Sequence, residues 1–318
     1  MLAICIEASH ARGMGHLFRA LNLIAYLNEK KISYIVLINE DAASLQILEK
    51  EAVAFEIVDF ADETGNWEPE IIRKYGIKVW LNDKFESSYA LCNHIKEAGA
   101  ALAVIDDRGT GARLSDVHFA GMMFGKSEEE IPGKKVFTGM KYNILNPEIE
   151  KYRRVRRDLG KIVVTLGGSD TYGATVQAVR ALKKYNYAAD IIVGANFKHE
   201  KELLEVIDDR YRVFWTVPSL MEAFATYDFA ITGGGVTPLE ANAAGLPCLI
   251  IANEPHEIVT GRHIAKLGGA VFAGYYQEMK EDMFDLSQYD IEQMSKAALT
   301  HIQMCGCEMI WQELEKLF

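Results

Sequence analysis

No stretch of this 318-residue chain approaches the roughly 20 uninterrupted apolar residues that a membrane-spanning helix needs. The opening Met1-Leu2-Ala3-Ile4-Cys5-Ile6 has the composition of a short signal core. It lacks a basic leader and meets Glu7 at once, so it reads as a first strand. Positive charge is also scarce: 34 Lys and Arg stand against 45 Asp and Glu, a net charge of -11. That balance argues against nucleic acid as a partner and gives no help to binding an anionic membrane. The one basic run, Lys151 to Arg157, reads as a solvated helix or linker. Cysteines number five, odd and scattered, and Cys305-Gly306-Cys307 is a C-x-C with no second pair. Zinc is therefore not expected, and reduced thiols of a cytoplasmic protein are. Neither H-E-x-x-H nor D-x-D occurs, so no fixed metal and no cofactor is expected. A G-x-x-x-x-G-K-[ST] loop is missing, and Gly13-x-Gly15-x-x-Phe18 lacks the third glycine of the dinucleotide fingerprint. Dehydrogenase and NTPase readings are set aside.

What the chain does contain is one motif used three times: an apolar run, a glycine turn, then a helix start. Leu2 to Glu7 leads into Gly13-Met14-Gly15-His16 and a helix. Ile162 to Leu166 leads into Gly167-Gly168-Ser169-Asp170, and Asp228 to Ile231 into Gly233-Gly234-Gly235-Val236-Thr237-Pro238-Leu239-Glu240. Glycine lets a ligand approach the backbone, and free N–H groups at a helix start attract anions. Thr237 suits an N-cap and Pro238 the first helical position.

Taken in order, the first half reads as strands at Leu2–Glu7, Ser33–Ile38, Ala54–Asp59, Ile77–Leu81 and Ala101–Ile105, with helices between them. From Ser127 the pattern weakens into connecting segments, and a boundary falls near Asn146 to Asp158. The second half reads as strands at Ile162–Leu166, Ala189–Val193, Tyr211–Val217, Asp228–Ile231, Pro247–Ile251 and Ala270–Phe272, again with helices between, and closes on two helices. Alternating strands and helices predict two doubly wound, Rossmann-like parallel-sheet domains, 1–150 and 151–318. Ligands of such sheets bind beyond the carboxyl ends of the strands, where Gly15, His16, Asp83 and Asp106 fall.

Several of these residues admit two readings. The positive end of a helix favours the neutral imidazole that a general base requires, so His16 is a candidate base, or a packing residue. Arg19, three residues on, holds a phosphate, fixes an acidic neighbour, or is a surface arginine. Thr237 and Glu240 form a capping box, or the carboxylate anchors a ribose. Gly168 and Ser169 make a tight turn with Asp170 as cap, or offer N–H groups to a diphosphate.

The three motifs together, ending in Gly245-x-Pro247, resemble the GT-B sugar-nucleotide enzymes. The nearest members are similar to the UDP-sugar hydrolase of pseudaminic acid synthesis and to spore-coat polysaccharide proteins; the GlcNAc transferase that makes lipid II is a more distant likeness. The resemblance implies two Rossmann-like domains facing across a cleft, with the last helix, Glu308–Leu317, crossing back to the first. It implies a UDP-sugar substrate, with Gly168 and Ser169 at the diphosphate, Gly234, Gly235 and Thr237 near phosphate, Glu240 on the ribose and Val217 by the base. His16 would activate water for inverting attack at the anomeric carbon, and Gly15, Arg19, Asp83, Asp106 and His256 would lie on the sugar or acceptor side. Two departures concern the sugar. Asn253-Glu254-Pro255-His256 stands where the family carries Asn-Gln, and Asp106-Asp107-Arg108-Gly109 where the hydrolase has an Asp-His-Tyr type stretch. Hydrolysis of a nucleotide-activated sugar in surface-polysaccharide synthesis is the leading expectation. Glycosyl transfer from the same site is the second, and a non-catalytic sugar-nucleotide-binding partner protein the third.

The missing D-x-D, with glycine N–H donors in its place, predicts turnover that needs no divalent ion. Activity is expected to persist in EDTA; loss in EDTA with rescue by magnesium or manganese would overturn the metal-free reading.

Overall fold

The computed structural model describes residues 1–8, 14–65, 67–123, 125–168, 170–194, 196–215 and 217–318; Gly13 and Ser169 of the motifs above, and Thr216 of the expected strand Tyr211–Val217, lie outside them. The chain separates into two compact units, Met1–Leu145 with Cys305–Phe318, and Asn146–Met304.

In the first unit β1 (Leu2–Ile6), α1 (Gly15–Glu29), β2 (Tyr34–Ile38), α2 (Ala42–Lys50), β3 (Phe55–Ile57), α3 (Trp67–Tyr75), β4 (Val79–Asp83), α4 (Tyr89–Glu97), β5 (Ala101–Ile105), β6 (Val117–Ala120) and β7 (Val136–Thr138) follow one another. The strands pair in parallel in the order β3-β2-β1-β4-β5-β6-β7. Successive side chains of a strand face opposite ways, and both faces here are covered, which is why β1 is apolar throughout. Leu2, Ile4 and Ile6 pack with Leu17, Ala20, Ile24 and Leu27 of α1. Ala3 and Cys5 pack on the other side with Trp80, Cys92, Ile95 and Leu102.

The second unit runs β8 (Ile162–Thr165), α5 (Ala174–Lys184), β9 (Ala189–Ile192), α6 (Glu200–Val206), β10 (Tyr211–Phe214), α7 (Leu220–Phe224), β11 (Phe229–Gly233), α8 (Thr237–Ala243), β12 (Cys248–Ala252), α9 (Pro255–Lys266), β13 (Ala270–Tyr275) and α10 (Ile291–His301). Its parallel sheet has the order β10-β9-β8-β11-β12-β13. Each sheet therefore reverses its winding once, at β1/β4 and at β8/β11, the positions where doubly wound sheets bind ligands. The last helix, α11 (Gly306–Leu314), belongs to the first unit, where Ile310 and Leu314 join the core beside α1.

Two strands escape the sequence reading. β6 and β7 hold four and three residues, and among the described residues only short 3-10 turns, Thr110–Leu114 and Glu128–Glu130, stand between β5 and β6 and between β6 and β7. Without the strand–helix rhythm such short runs carry no periodic signal. The basic run also differs from the solvated segment expected of it. Arg153 donates to Ala243 O at 2.9 Å and Leu299 O at 3.3 Å, and Arg154 pairs with Asp228 at 3.0 Å. Arg156 is fully buried. Its guanidinium donates to the carbonyls of Phe224 (2.9 Å), Tyr227 (3.2 Å), Arg154 (3.1 Å) and Ala244. A planar fork with five donors suits carbonyls left open at the ends of α7 and α8. Burial, and Arg154 close by, push this guanidinium down to about 10.

Replacing Arg156 by Met removes a charged donor from all four carbonyls; those of Ala244, Phe224 and Tyr227 keep Arg154 N, Tyr227 N and Arg154 Nη2, and that of Arg154 keeps none among the described residues. Urea unfolding of Arg156→Met is expected to show a loss on the order of 2 kcal/mol, because hydrogen bonds from a charged donor are lost and one buried acceptor is left without a partner. An unchanged midpoint would mean that water satisfies the carbonyls.

Candidate functional site

In the first unit the winding reversal brings together the ends of β1, β4 and β5. α1 begins at Gly15, where an added Cβ would meet nothing within 4 Å. His16 and Arg19 lie three apart, on one side of the first turn. Facing them are Asp83, the last residue of β4, and Asp106, the residue after β5. The sequence reading ended that strand at Leu81; the ladder continues to Asp83 opposite Ile6 and so fixes the carboxylate at the sheet edge.

The contacts are dense. Arg19 Nε donates to Asp83 Oδ2 at 2.8 Å, Nη2 donates to Asp83 Oδ1, and Nη1 donates to Asp106 Oδ2 at 2.8 Å. His16 Nδ1 lies 2.7 Å from Asp83 Oδ1. Of the alternatives for Arg19, the structure shows the one that fixes acidic neighbours. Asp106 has a left-handed backbone, φ +49°, and its Oδ1 accepts from Met122 N at 2.8 Å. Burial opposes charge on Asp83, which is 2% exposed, yet Arg19 and His16 hold its carboxyl down at about 2. Burial likewise works against the charge on Arg19, and Asp83 and Asp106 outweigh it, raising the guanidinium above its ordinary value.

A carboxylate at Nδ1 makes that nitrogen the donor and leaves the lone pair on Nε2. His16 Nε2 is buried and has no hydrogen-bond partner among the described residues. Phe85 stands edge-on to the imidazole, centroids 4.5 Å apart, and is itself 49% exposed. Nothing in the sequence marks Phe85 except its place two residues after Asp83. The set can hold an imidazole in one tautomer and take a proton from whatever reaches Nε2.

In the second unit the reversal lies between β8 and β11. Gly167 turns the chain at φ +87°, and an added Cβ at Gly168 would meet nothing within 4 Å. Asp170, 3% exposed, accepts from Ala174 N and Thr175 N, both at 2.8 Å. It thus occupies the first N–H groups of α5, the capping alternative. A Cβ on Gly194 would come within 2.3 Å of Gly168 O, so that unremarked glycine at the end of β9 is what lets the two loops meet.

After β11, Gly234 is buried against α9, where its Cβ would fall 2.6 Å from Glu257 Cβ; this glycine serves packing. Gly235 is half-buried, with Glu257 Oε1 the nearest atom at 3.5 Å from such a Cβ. The helix starts one residue earlier than expected: Val236 is the N-cap with φ -77°, already helical, and Thr237 and Pro238 are its first residues. No side chain caps α8, so the expected box between Thr237 and Glu240 does not form. Glu240 is left half-buried, and burial pushes its carboxyl up to about 7. Val217 is half-buried just after β10, beside the exposed Phe214 and Trp215. His256 is exposed on the first turn of α9, and Glu257 there accepts from Asn253 N at 2.7 Å. A stacked pair, Tyr172 and Tyr276 at 4.3 Å, links the loop after β8 to the end of β13; single-sequence reading gave no hint of it.

The order and winding of the two sheets define a GT-B fold. MurG of Acinetobacter baumannii aligns over 99% of both chains with a TM-score of 0.70 at 14% identity. The UDP-GlcNAc 2-epimerase of Neisseria meningitidis, solved with UDP-GlcNAc, aligns over 99% of this chain and 100% of its own with a TM-score of 0.66, also at 14% identity. By sequence the chain is 23% identical over 287 residues to the spore coat polysaccharide biosynthesis protein SpsG of Bacillus subtilis, covering 86% of this chain and 83% of that one. It is 21% identical over 275 residues, 79% of its length, to an uncharacterised Methanocaldococcus jannaschii protein, of which it spans 55%. No model of a protein family matches the chain. No helix among the described residues is long and apolar enough to cross a membrane.

The raised Glu240 carboxyl carries a sign. The folded state holds its proton up to about 7, while the unfolded chain releases it near 4.5, so this group's stabilising contribution is lost as pH rises through that window. Glu240→Gln removes the titration. The variant is expected to match the parent near pH 4 and to exceed it by about 2 kcal/mol at pH 8, a figure below the full shift because the group is part-exposed. Equal thermal denaturation profiles at both pH values would show that the carboxylate is solvated.

Proposed function

We propose that this chain cleaves the bond between sugar and diphosphate in a nucleotide-activated sugar, UDP-linked, releasing UDP and the free sugar. The observation that carries the reading is the buried, unpartnered Nε2 of His16 beside an Asp83 that claims Nδ1. A water at Nε2 loses its proton there and attacks the anomeric carbon as the UDP oxygen leaves, which inverts that centre. Asp83 orients the ring and stabilises the imidazolium that forms, and Arg19 with Asp106 holds Asp83 in place. Gly168 and Gly235 offer uncrowded backbone to the diphosphate; Gly234 shapes the turn from beneath; Thr237 contributes its hydroxyl at the same turn. Ser169 joins them by family likeness alone. Glu240 takes the two ribose hydroxyls, which would supply donors that its carboxylate otherwise lacks. Val217 flanks the base, and His256 and Gly15 border the sugar. The units that carry these roles are Met1–Leu145 with Cys305–Phe318, and Asn146–Met304, in place of the expected 1–150 and 151–318; the setting is cytoplasmic synthesis of a surface polysaccharide, pseudaminic acid being the family precedent. The likeness to the B. subtilis spore coat polysaccharide protein and to the epimerase solved with UDP-GlcNAc supports the substrate class.

A second reading, transfer to an acceptor hydroxyl, is favoured by a groove of about 600 Å³ in the unit that holds His16. Glu7, Asn39, Glu40, Ile57 and Asp59 line it at the ends of β1, β2 and β3.

Incubation with a panel of UDP-sugars separates the readings. UDP release without acceptor supports hydrolysis, release only with acceptor supports transfer, and binding without turnover in either case sinks both in favour of a sugar-nucleotide-binding protein. For the hydrolase, His16→Asn is expected to lower the rate by roughly two to four orders of magnitude, the share of general-base catalysis, with UDP affinity unchanged. A variant that keeps near-parental turnover would move the base to another residue.

A further inference from the structure

Lys84 stands in sequence between two of the residues that touch the His16 ring, Asp83 and Phe85; Arg19 Nη2, 3.4 Å from Nδ1, is another. Its side chain goes the other way. Alternation along β4 sends Trp80, Asn82 and Lys84 to the face opposite Asp83, where they line a small enclosed cavity with Phe60, Trp67, Glu68 and Ser87. Lys84 is 4% exposed, and its ammonium lies 3.6 Å from the centroid of the Phe60 ring. It makes no hydrogen bond to a described residue. Glu68, fully buried, lines the same cavity with its Oε2 3.3 Å from His94 Nδ1, and Phe60 is held edge-on by Trp67 at 6.1 Å.

A buried ammonium is costly unless something replaces its water, and the face of the Phe60 ring does so in one place only. That fixes where residue 84 sits. The turn is pinned on the same side by Asn82 Nδ2, which donates to Ser87 Oγ at 3.0 Å. Asp83 and Phe85 flank Lys84 directly, so its anchorage constrains the turn that carries both, in addition to the ladder and the Arg19 pair that hold Asp83. We propose that Lys84 is a positioning residue for His16: locked beneath Phe60 on the far face of the sheet, it holds Asp83 and Phe85 where they fix the orientation and tautomer of the imidazole.

The test uses the full chain labelled with ¹⁵N-histidine, the His16 signals being assigned by their loss in His16→Asn. The parent is expected to show a single Nδ1–H tautomer. Lys84→Met, which keeps the bulk, and Phe60→Leu, which keeps the lysine and removes the ring, are each expected to show a mixture of tautomers while circular dichroism stays native. Either folded variant decides, so failure of one to fold leaves the other. A single Nδ1–H tautomer in a folded variant overturns the proposal. In turnover the same variants are expected to lose about tenfold in kcat with KM within twofold. That kinetic part rests on the proposed function; a parent with no turnover sinks that function and leaves the tautomer result to judge Lys84.

Discussion

One guanidinium ties the first unit's site together. Arg19 forks onto Asp83 and reaches Asp106, so α1 is pinned to the ends of β4 and β5. Each partner needs the others: two carboxylates at 2% and 13% exposure would repel across the sheet edge without a cation between them. Such a cluster contributes little net stability, because the desolvation of its members offsets much of the attraction. Its effect is positional. Asp83 uses both oxygens on Arg19 and one of them also on His16, which leaves the imidazole one tautomer and one direction.

The second unit solves a different problem with glycine. Its turns look alike in sequence, yet the glycines do different jobs. Gly234 and Gly194 are small because α9 and the facing loop come too close for a Cβ, while Gly168 faces open space. Asp170 takes the donors at the start of α5, so the anion-attracting groups there are already engaged. What stays unsatisfied is Glu240, a carboxylate that burial leaves near neutrality in pKa and that no neighbour hydrogen-bonds among the described residues. His16 Nε2 at the winding reversal of the first sheet is a buried polar atom without a partner among the described residues, and Glu240 at that of the second is a half-buried carboxyl whose charge burial opposes.

Much of the fold could be read from the chain. Strands buried on both faces are continuous apolar runs, and β1, β5, β8 and β12 announce themselves that way. The glycine turns that follow β1, β8 and β11 mark where helices begin, and their repetition in both halves carries the GT-B reading. β6 and β7 were silent because a strand of three or four residues between irregular segments has no period to detect. Charge was misread where packing overrode it: Lys151 to Arg157 looks like a solvated run, yet Arg156 is a buried clamp on two helix ends.

The sequence by itself determined the alternation of strands and helices and the residue types at the strand ends, because those follow from local pattern: apolar period, turn chemistry and cap preference; the GT-B architecture came from the motif resemblance. Which alternatives those residues take was decided only by the tertiary structure. Arg19 could have met a phosphate or a carboxylate, and the pairing of β1 with β4 and of β4 with β5 delivered Asp83 and Asp106 to it. The box between Thr237 and Glu240 was locally permissible, and an early helical turn at Val236 removed it. Phe85 and Lys84 carry no local signature at all. Their contacts exist because residues 60, 67 and 16, far apart in the chain, converge on the end of one strand, and contacts between distant residues are not written in the neighbourhood of either.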